Sequence, residues 1–345
     1  IASCLVGSEM CIRDRNMWEV VPLLGYGIVE QQGTQNPEED ETTCRTLTTE
    51  DLISEELLLP QPEETQQTAL IPESVEATAG TALSNFRPAV QQVQIDRTQL
   101  ADYETLVRNF YAIDANTMAG SDQLSVEKLL GMDMTLPQEG DGPQILIYHT
   151  HSQEAFADSV PGDVNTGIVG VGECLTKILT EQYGYRVLHN TGQYDVETRD
   201  NAYSRALPAV EQILAENPSI QVIIDLHRDE VAEETKLVTD IQGRPTARFM
   251  FFNGLSRTRK TGDIDYLANE NQEANLAFSF QMQLKAAEYY PGLTRRIYLK
   301  GYRYNMHLRP RTLLVELGAQ NNTVEEAINA CDPLAHILDM VLKGE

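Results

Sequence analysis

The stretch Ile145-Leu-Ile-Tyr-His149-Thr-His151-Ser-Gln-Glu154 decides how the rest of this sequence is interpreted. A short apolar run ends abruptly in two histidines, and a glutamate follows three residues after the second. A run of this kind, preceded by Asp-Gly-Pro, is typical of a buried strand that opens into a loop at its carboxyl end. Ligands of open α/β folds bind at the carboxyl ends of strands. The stretch therefore predicts an α/β fold with a site at this edge of its sheet.

Strand-length apolar runs and segments of helical periodicity alternate along the rest of the chain. Strands are expected at 145–148, 185–188, 222–226, 249–252, 297–299 and 313–317, and helices at 168–182, 202–216, 271–289 and 323–342. The last helix opens with Thr323-Val-Glu-Glu326, a capping-box pattern. This alternation predicts a single three-layer domain whose mostly parallel, mixed sheet of about six strands has helices on both faces.

Composition divides the chain into three regions. Residues 1–16 have no initiating Met and no signal-peptide layout, and they look like translated sequencing-adapter sequence. We expect this segment to be non-native and the native start, with any anchor, to be missing. Residues 17–97 are rich in Glu, Gln, Thr and Pro, which predicts an acidic disordered linker or stalk. Residues 98–345 are expected to form the folded domain, with 98–140 as its lead-in.

Charge and cysteine content narrow the classes of function. The chain has 52 Asp and Glu against 26 Lys and Arg, a formal net charge of −26 at pH 7. Nucleic acid is excluded as a partner, because phosphate binding depends on clusters of Lys and Arg. The sequence contains no apolar run long enough for a transmembrane helix. Its five cysteines lack CxxC or disulfide-framework spacing, and Cys174 and Cys331 are expected to be small core residues.

Three predicted strand ends carry side chains suited to metal chemistry. His151-x-x-Glu154 lies at the first and His227 at the third, and two histidines with a glutamate are a known ligand set of catalytic zinc. The three-residue spacing from His151 to Glu154 allows both to reach one ion within a single turn. His149 competes with His151, because both would point to the same side of an extended strand, and Asp163 is the alternate carboxylate.

Glu316 interrupts the apolar run Leu313-Leu-Val-Glu-Leu317. A carboxylate buried without a partner costs several kcal/mol, so its presence needs a reason. One interpretation is a general base that deprotonates a metal-bound water and then protonates a leaving amine. The other is a structural ion pair with Arg309 or Arg311.

Three residues are candidates for substrate binding. Arg228 and Asp229 follow His227 directly and would either orient that histidine or contact substrate. Asn305 lies in the run Gly301-Tyr-Arg-Tyr-Asn-Met-His307, whose aromatic and polar groups suit a substrate wall or a surface loop.

Four separated motifs resemble the stage II sporulation protein P family. They are Ile147-Tyr-His-Thr-His-Ser-Gln-Glu154, Ile224-Asp-Leu-His-Arg-Asp229, Tyr304-Asn-Met-His-Leu308 and Leu314-Val-Glu-Leu-Gly-Ala-Gln-Asn-Asn-Thr323. The resemblance covers about Val107 to the C-terminus. It departs from the family pattern in the residues that flank Glu154.

The resemblance implies a zinc-dependent cell-wall hydrolase whose fold is related to amidases and zinc exopeptidases. Residues 98–345 would be the amidase-like domain, with Zn²⁺ on His151, Glu154 and His227 and with Glu316 as the base. The implied reaction is cleavage of the N-acetylmuramoyl-L-alanine amide of peptidoglycan, with possible endopeptidase activity on stem peptides, during forespore engulfment. Implied partners are stage II sporulation proteins D and M, and the implied location is extracytoplasmic, on a membrane anchor.

Two other functions fit the same residues. A metallocarboxypeptidase acting on free peptides would use a His-x-x-Glu pair, a distant histidine and a late glutamate in the same way. A peptidoglycan-binding scaffold with an inactive site would keep the fold without the chemistry. A carboxypeptidase would be distinguished from an amidase by the products that it forms. An inactive scaffold would be distinguished by its zinc content.

Overall fold

A computed structural model describes residues 86–137 and 140–345 of the chain. The predictions for residues 1–16, and most of those for the linker, lie outside the described residues. None of the helices in the described ranges is long and apolar enough to cross a membrane.

The described part of the chain alternates strands with helices from residue 103 onward. Its helices are α1 (Tyr103–Phe110), α2 (Val126–Gly131), α3 (Ile168–Glu181), α4 (Ala202–Glu216), α5 (Gln272–Tyr289) and α6 (Val324–Lys343). Its strands are β1 (Tyr111–Ile113), β2 (Ile145–Tyr148), β3 (Val187–His189), β4 (Val222–Asp229), β5 (Val238–Ile241), β6 (Arg244–Ala247), β7 (Phe249–Gly254), β8 (Arg257–Thr258), β9 (Gly262–Asp263), β10 (Ile297–Lys300) and β11 (Arg311–Ala319).

Seven of these strands form one sheet in the order β1-β10-β7-β11-β4-β2-β3. Neighbouring strands are parallel except for β7 and β11, which are antiparallel. The sheet therefore consists of two parallel blocks that meet at one antiparallel junction. Because β2, β4 and β11 belong to the same block, their carboxyl ends lie at the same edge.

The two faces of the sheet are covered differently. Alternate residues such as Ile147 and Val315 join the large core beneath α3, α5 and α6. The residues between them, such as Tyr148 and Leu314, face α4 and an aromatic group around Tyr203 and Tyr304. This alternation follows from the two-residue period of a strand. The same alternation determines which residues of β4 and β11 face the large core and which face α4.

The predicted three-layer α/β fold with a mostly parallel sheet is confirmed, with differences in detail. The sheet has a seventh strand, β1, in the lead-in, and the hairpins β5-β6 and β8-β9 were not predicted from the sequence. Strand β4 continues to Asp229, so His227 lies within the strand instead of after it. Cys174 and Cys331 are free thiols, and Cys331 is buried as expected.

The capping box at the start of α6 forms as predicted. The Thr323 side chain accepts a hydrogen bond from the Glu326 N–H, and the Glu326 carboxylate accepts one from the Thr323 N–H. Thr323→Ala should lower the free energy of unfolding by about 1 kcal/mol, because the first turn of the helix loses its cap. Urea denaturation measures this loss, and Thr323→Ser, which retains the hydroxyl, is the matched control. Equal stability of the Ala variant and the wild type would show that the cap contributes nothing.

Candidate active site

The chain turns immediately after β2, and this turn separates the two histidines of the opening stretch. Residues 150–153 form a turn, so the assumption that an extended strand points both histidines to one side is wrong. His149 lies on the α3 face, where a Cβ on Gly172 would collide with its ring. His151 lies on the α4 face, with its ring 5.7 Å from that of Tyr203.

Both ring nitrogens of His149 are engaged by protein groups. Nδ1 donates to the carbonyl of Leu226 at 2.8 Å, and Nε2 lies 2.9 Å from Nε2 of His189. Burial lowers the pKa of His149 to about 4, so the ring is neutral near pH 7. A neutral ring that donates from Nδ1 has only Nε2 as an acceptor, and this nitrogen faces the ring of His189.

His151 lies beside His227 and is backed by a carboxylate. The two rings are 5.3 Å apart. Nδ1 of His151 lies 3.7 Å from the carboxylate of Asp195, which also accepts from Ser152 Oγ at 2.8 Å and from the Gln153 N–H at 3.3 Å. Asp195 therefore ties the loop before α4 to the turn that carries His151.

His227 lies between two buried carboxylates. Its Nε2 is 2.8 Å from Asp225 Oδ1, without the alignment of a hydrogen bond, and its Nδ1 is 3.6 Å from Glu154 Oε2. Burial opposes protonation of His227, but Asp225 and Glu154 together raise its pKa well above the ordinary value. Asp225 is itself held by the backbone N–H of Thr150 at 2.9 Å and by its hydroxyl at 2.6 Å.

Glu154 is held by two arginines. Its Oε1 accepts from Nη2 of Arg199 at 2.8 Å, and its Oε2 accepts from the backbone N–H of Arg228 at 2.8 Å. Burial alone raises the pKa of Glu154, but His227 and then Arg199 and Arg228 outweigh it and hold the pKa well below its usual value. Glu154 is therefore a carboxylate at neutral pH.

Glu316 lies opposite His227 in the register of β4 and β11, and it is 4% exposed. Its Oε2 is buried and has no hydrogen-bond partner among the described residues. Burial, with repulsion from Asp229, raises the pKa of Glu316 to about 8. The alternative ion pair is not found, because the guanidinium of Arg309 donates to carbonyls of Ile220 and Leu308, and that of Arg311 to those of Met134 and Thr135.

Two of the predicted substrate-binding residues are buried in protein contacts. Asp229 is 2% exposed and pairs with Nη2 of Arg295 at 2.7 Å. Asn305 is 1% exposed, and its Nδ2 donates to the carbonyl of Tyr203 at 3.1 Å. Arg228 is partly exposed, and its Nε donates to the carbonyl of Ala155 at 2.9 Å. Of the three, only Arg228 has a side chain at the surface.

The alternate carboxylate Asp163 does not join this cluster. It lies on an exposed turn before the 3-10 helix Val164–Thr166, where its side chain accepts from the N–H of Asn165. The buried group is therefore composed of His151, Glu154, His227 and Glu316, supported by Asp195 and Asp225.

The donor types of this buried group fit Zn²⁺, although their present arrangement is not a formed ligand set. No three His, Cys, Asp or Glu side chains in the described ranges form a group that could hold a metal ion as they stand. The Glu154 oxygens are engaged by Arg199 and Arg228, which accounts for part of this result. In favour of a metal, Asp195 lies beside His151 and Asp225 beside His227. Carboxylates commonly contact zinc-binding histidines in this way.

Sequence reasoning missed Asp195, Arg199, Tyr203 and Arg295. Asp195 and Arg199 lie in a loop without periodicity, so no local pattern points to them. By contrast, Asp225, His227 and Asp229 alternate along β4 and so share a face. That signal would have been visible had the strand been extended by three residues.

Comparisons with known proteins place the chain in a family. The family model described as Stage II sporulation protein P (SpoIIP) matches residues 44–339. The curated Stage II sporulation protein P of Bacillus subtilis (strain 168) is 26% identical over 217 residues, which are 57% of this chain and 51% of that protein. The chain thus spans about half the length of this curated relative.

Similarity to solved structures is weaker. An N-acetylmuramyl-L-alanine amidase, Ami1, from Mycobacterium smegmatis has a TM-score of 0.37 and 13% identity, over 60% of this chain and all of that one (100%). An N-acetylmuramoyl-L-alanine amidase from Clostridium difficile 630 has a TM-score of 0.36 and 14% identity, over 59% and 95% of the two chains. A metallo-carboxypeptidase from Burkholderia cenocepacia has a TM-score of 0.34 and 10% identity, over 61% and 59%. Because the family model covers well over half of the sequence, the chain belongs to the Stage II sporulation protein P (SpoIIP) family.

Proposed function

We propose that this protein is a zinc-dependent peptidoglycan hydrolase that cleaves the amide between N-acetylmuramic acid and L-alanine. The observation that supports this most is the buried group formed by His151, Glu154, His227 and Glu316 at one sheet edge, in a chain of the SpoIIP family. The proposed setting is sporulation, during engulfment of the forespore, and membership of the SpoIIP family supports it. Cleavage of stem-peptide cross-links is a further activity that the same site would support.

In this proposal His151, Glu154 and His227 hold the metal. Bound Zn²⁺ would polarise the amide carbonyl and lower the pKa of a bound water. Nδ1 of His227 faces Glu154 while Nε2 faces Asp225, so Asp225 orients the ring through the nitrogen directed away from Glu154. Asp195 does the same for His151 through Nδ1.

Glu316 is proposed to move the proton. Its buried Oε2 has no partner among the described residues, so it is free to accept a proton from water and to donate it to the leaving amine. A pKa of about 8 lies close to a neutral working pH, and Brønsted behaviour favours such a match. Arg228, the exposed member of the candidate substrate-binding residues, would contact the substrate at the edge of the site.

The cellular setting is part of the same proposal, and membership of the SpoIIP family supports it. The protein would act outside the cytoplasm, anchored at a membrane. Peptidoglycan is its substrate, and stage II sporulation proteins D and M are its proposed partners.

The activity is tested on purified sacculi and on a defined glycan-peptide fragment, with products identified by mass spectrometry. Wild-type protein should release intact stem peptides, a chelator should stop the release, and Glu316→Gln should lower the rate by about a hundredfold or more, because proton transfer is lost. Release of single C-terminal residues would instead indicate a carboxypeptidase. A zinc content far below ~1 per chain, with no products, would indicate a scaffold.

Zinc content after dialysis distinguishes His149 from His151 as a ligand. His151→Gln should lose the metal with little change in stability. His149→Gln should keep ~1 zinc per chain and lose about 1–3 kcal/mol of unfolding free energy, because the Leu226 carbonyl loses its buried donor. Loss of zinc from the His149 variant at unchanged stability would reverse the assignment.

Arg199 should compete with the metal for Glu154, since its guanidinium lies 2.8 Å from Oε1. Arg199→Gln should therefore bind Zn²⁺ more tightly, by about tenfold, because one cation no longer opposes another. Calorimetric titration of the metal-free protein measures this change. Arg205→Gln is the matched control, since Arg205 pairs with the exposed Glu197 at 3.2 Å. Weaker zinc binding by the Arg199 variant would show that Arg199 supports the site.

A further inference from the structure

Helices α3 and α6 pack against each other, and each brings a cysteine to their contact. Cys331 Sγ, on α6, lies 3.5 Å from the carbonyl oxygen of Val171, on α3. Cys174 lies three residues after Val171, so both are on the same face of α3. Helical side chains lean towards the N-terminus of their helix, so the Cys174 side chain leans over the turn that the Cys331 sulfur contacts. The two thiols therefore meet at one point between the helices.

Each thiol influences the protonation of the other. Hydrogen bonding to Cys331 lowers the pKa of Cys174, and the same interaction, together with burial, raises the pKa of Cys331 well above its ordinary value. Burial and Asp332 oppose the lowering at Cys174, whereas the cations Lys177 and Arg244 add to it. This mutual effect agrees with the placement of the two sulfurs by the packing of the helices.

The two thiols differ in their access to solvent. Cys174 is partly exposed, whereas Cys331 is fully buried. The thiolate is the nucleophilic form of cysteine, so reactivity follows from both exposure and a lowered pKa. Cys174 is therefore the thiol that an external reagent reaches first, and Cys331 is placed to attack it from the core.

The helices that carry the pair also hold the segment that contains Glu154. The N–H of Ile168, the first residue of α3, donates to the Glu154 carbonyl at 2.9 Å. The N–H of Ala157 donates to the carbonyl of Asn322, just before α6, at 2.9 Å. A covalent bond between α3 and α6 would therefore fasten together the two elements on which this segment rests.

We propose that Cys174 and Cys331 are a redox-active pair that forms a disulfide between α3 and α6. The structure contains the reduced form, with both as free thiols. The oxidant is a small-molecule disulfide. The Cys174 thiolate attacks one of its sulfurs and releases the first small thiolate, and Cys331 then attacks the Cys174 sulfur and releases the second. Two electrons and two protons thus pass from the protein thiols to two small thiols.

The setting of the proposed function suits this chemistry, because disulfides form and persist outside the cytoplasm. The disulfide itself does not depend on hydrolase activity. Its test therefore uses thiol chemistry and stability alone, and its outcome is separate from that of the peptidoglycan assay.

The test uses the full chain with Cys4→Ser, Cys11→Ser and Cys44→Ser, which leaves only the proposed pair. After incubation with oxidised glutathione, a non-reducing peptide map by mass spectrometry should show Cys174 linked to Cys331 as the main product. The thermal midpoint should be about 5 °C or more above that of the reduced protein. Persistence of both thiols, a glutathione adduct as the final product, or a linked peptide without a rise in the midpoint would overturn the proposal.

Cys174→Ala in the same background is the matched control, because it removes the partly exposed thiol and leaves Cys331 in the core. Its midpoint should lie within about 2 °C of that of the reduced protein, since a small half-buried side chain is exchanged. It should not change with oxidised glutathione. An equal rise in this variant would show that the oxidant acts elsewhere, and the proposal would fail.

The order of attack is tested on the reduced protein with iodoacetamide. Cys174 should be alkylated at least about tenfold faster than Cys331, because it is the more exposed thiol and has the lower pKa. Peptide mapping after short exposures measures both rates. Faster labelling of Cys331 would contradict its burial and overturn the proposed sequence of steps.

Discussion

The parallel register of β4 and β11 is the constraint on which the candidate site depends. It places Glu316 opposite His227, with Leu314 opposite Asp225 two residues earlier. A slip of one residue would turn Glu316 towards the core beneath α3, α5 and α6 and bring an apolar side chain to the site. The apolar residues on the other face, such as Val315 and Leu317, prevent this slip because they are fully buried there. The hydrophobic core thus determines on which face of the sheet the Glu316 carboxylate lies.

The register of β11 against β4 shifts after Glu316, which forms a β-bulge before the chain turns towards α6. The next paired residues are Ala319 and Asp229, so β11 contains one extra residue between the two pairs. Gly318 lies there with φ +66°, and a Cβ at this position would lie 3.1 Å from both Ala247 and the Asn322 side chain. The bulge lets the chain turn towards the capped start of α6 without disturbing Glu316. A side chain at position 318 would be strained both by backbone conformation and by contact.

Several buried charges on this face are tolerable only because each has a counterpart. Asp225 and Glu154 flank His227, Asp229 pairs with Arg295, and Glu154 also meets Arg199. Removing one member of a buried pair is costly because the other stays behind without solvent. The network therefore couples the stability of the fold to the arrangement of the candidate site. Glu316 is the exception, with a buried oxygen that has no such partner in the described residues.

What the sequence predicted and what it missed have distinct physical origins. The strands, the capping box and the group of His151, Glu154, His227 and Glu316 produce local patterns, namely apolar runs and polar interruptions of them. Asp195 and Arg199 contact His151 and Glu154, which are far away in the sequence, and no local pattern around them predicts those contacts. Asn305 was misjudged for a related reason. It lies in a run that is typical of a surface loop, yet left-handed backbone at Tyr304 and Asn305 turns this run beneath Tyr203.

The turn after β2 places His149 and His151 on opposite faces of the sheet. Strand β2 ends at Tyr148, whose partner on β4 is Asp225, so the Leu226 carbonyl lies just beyond the last paired residue. A buried carbonyl requires a donor, and Nδ1 of His149 supplies it in place of a further residue of β2. Because Leu226 directly precedes His227, His149 fixes the backbone of β4 at the site from the opposite face of the sheet. The turn at Thr150 then carries His151 to the other face, beside the histidine whose backbone His149 holds. His149 and His151 are two residues apart in the sequence, yet the turn between them gives them different positions: His149 bonds the Leu226 carbonyl, and His151 lies beside His227.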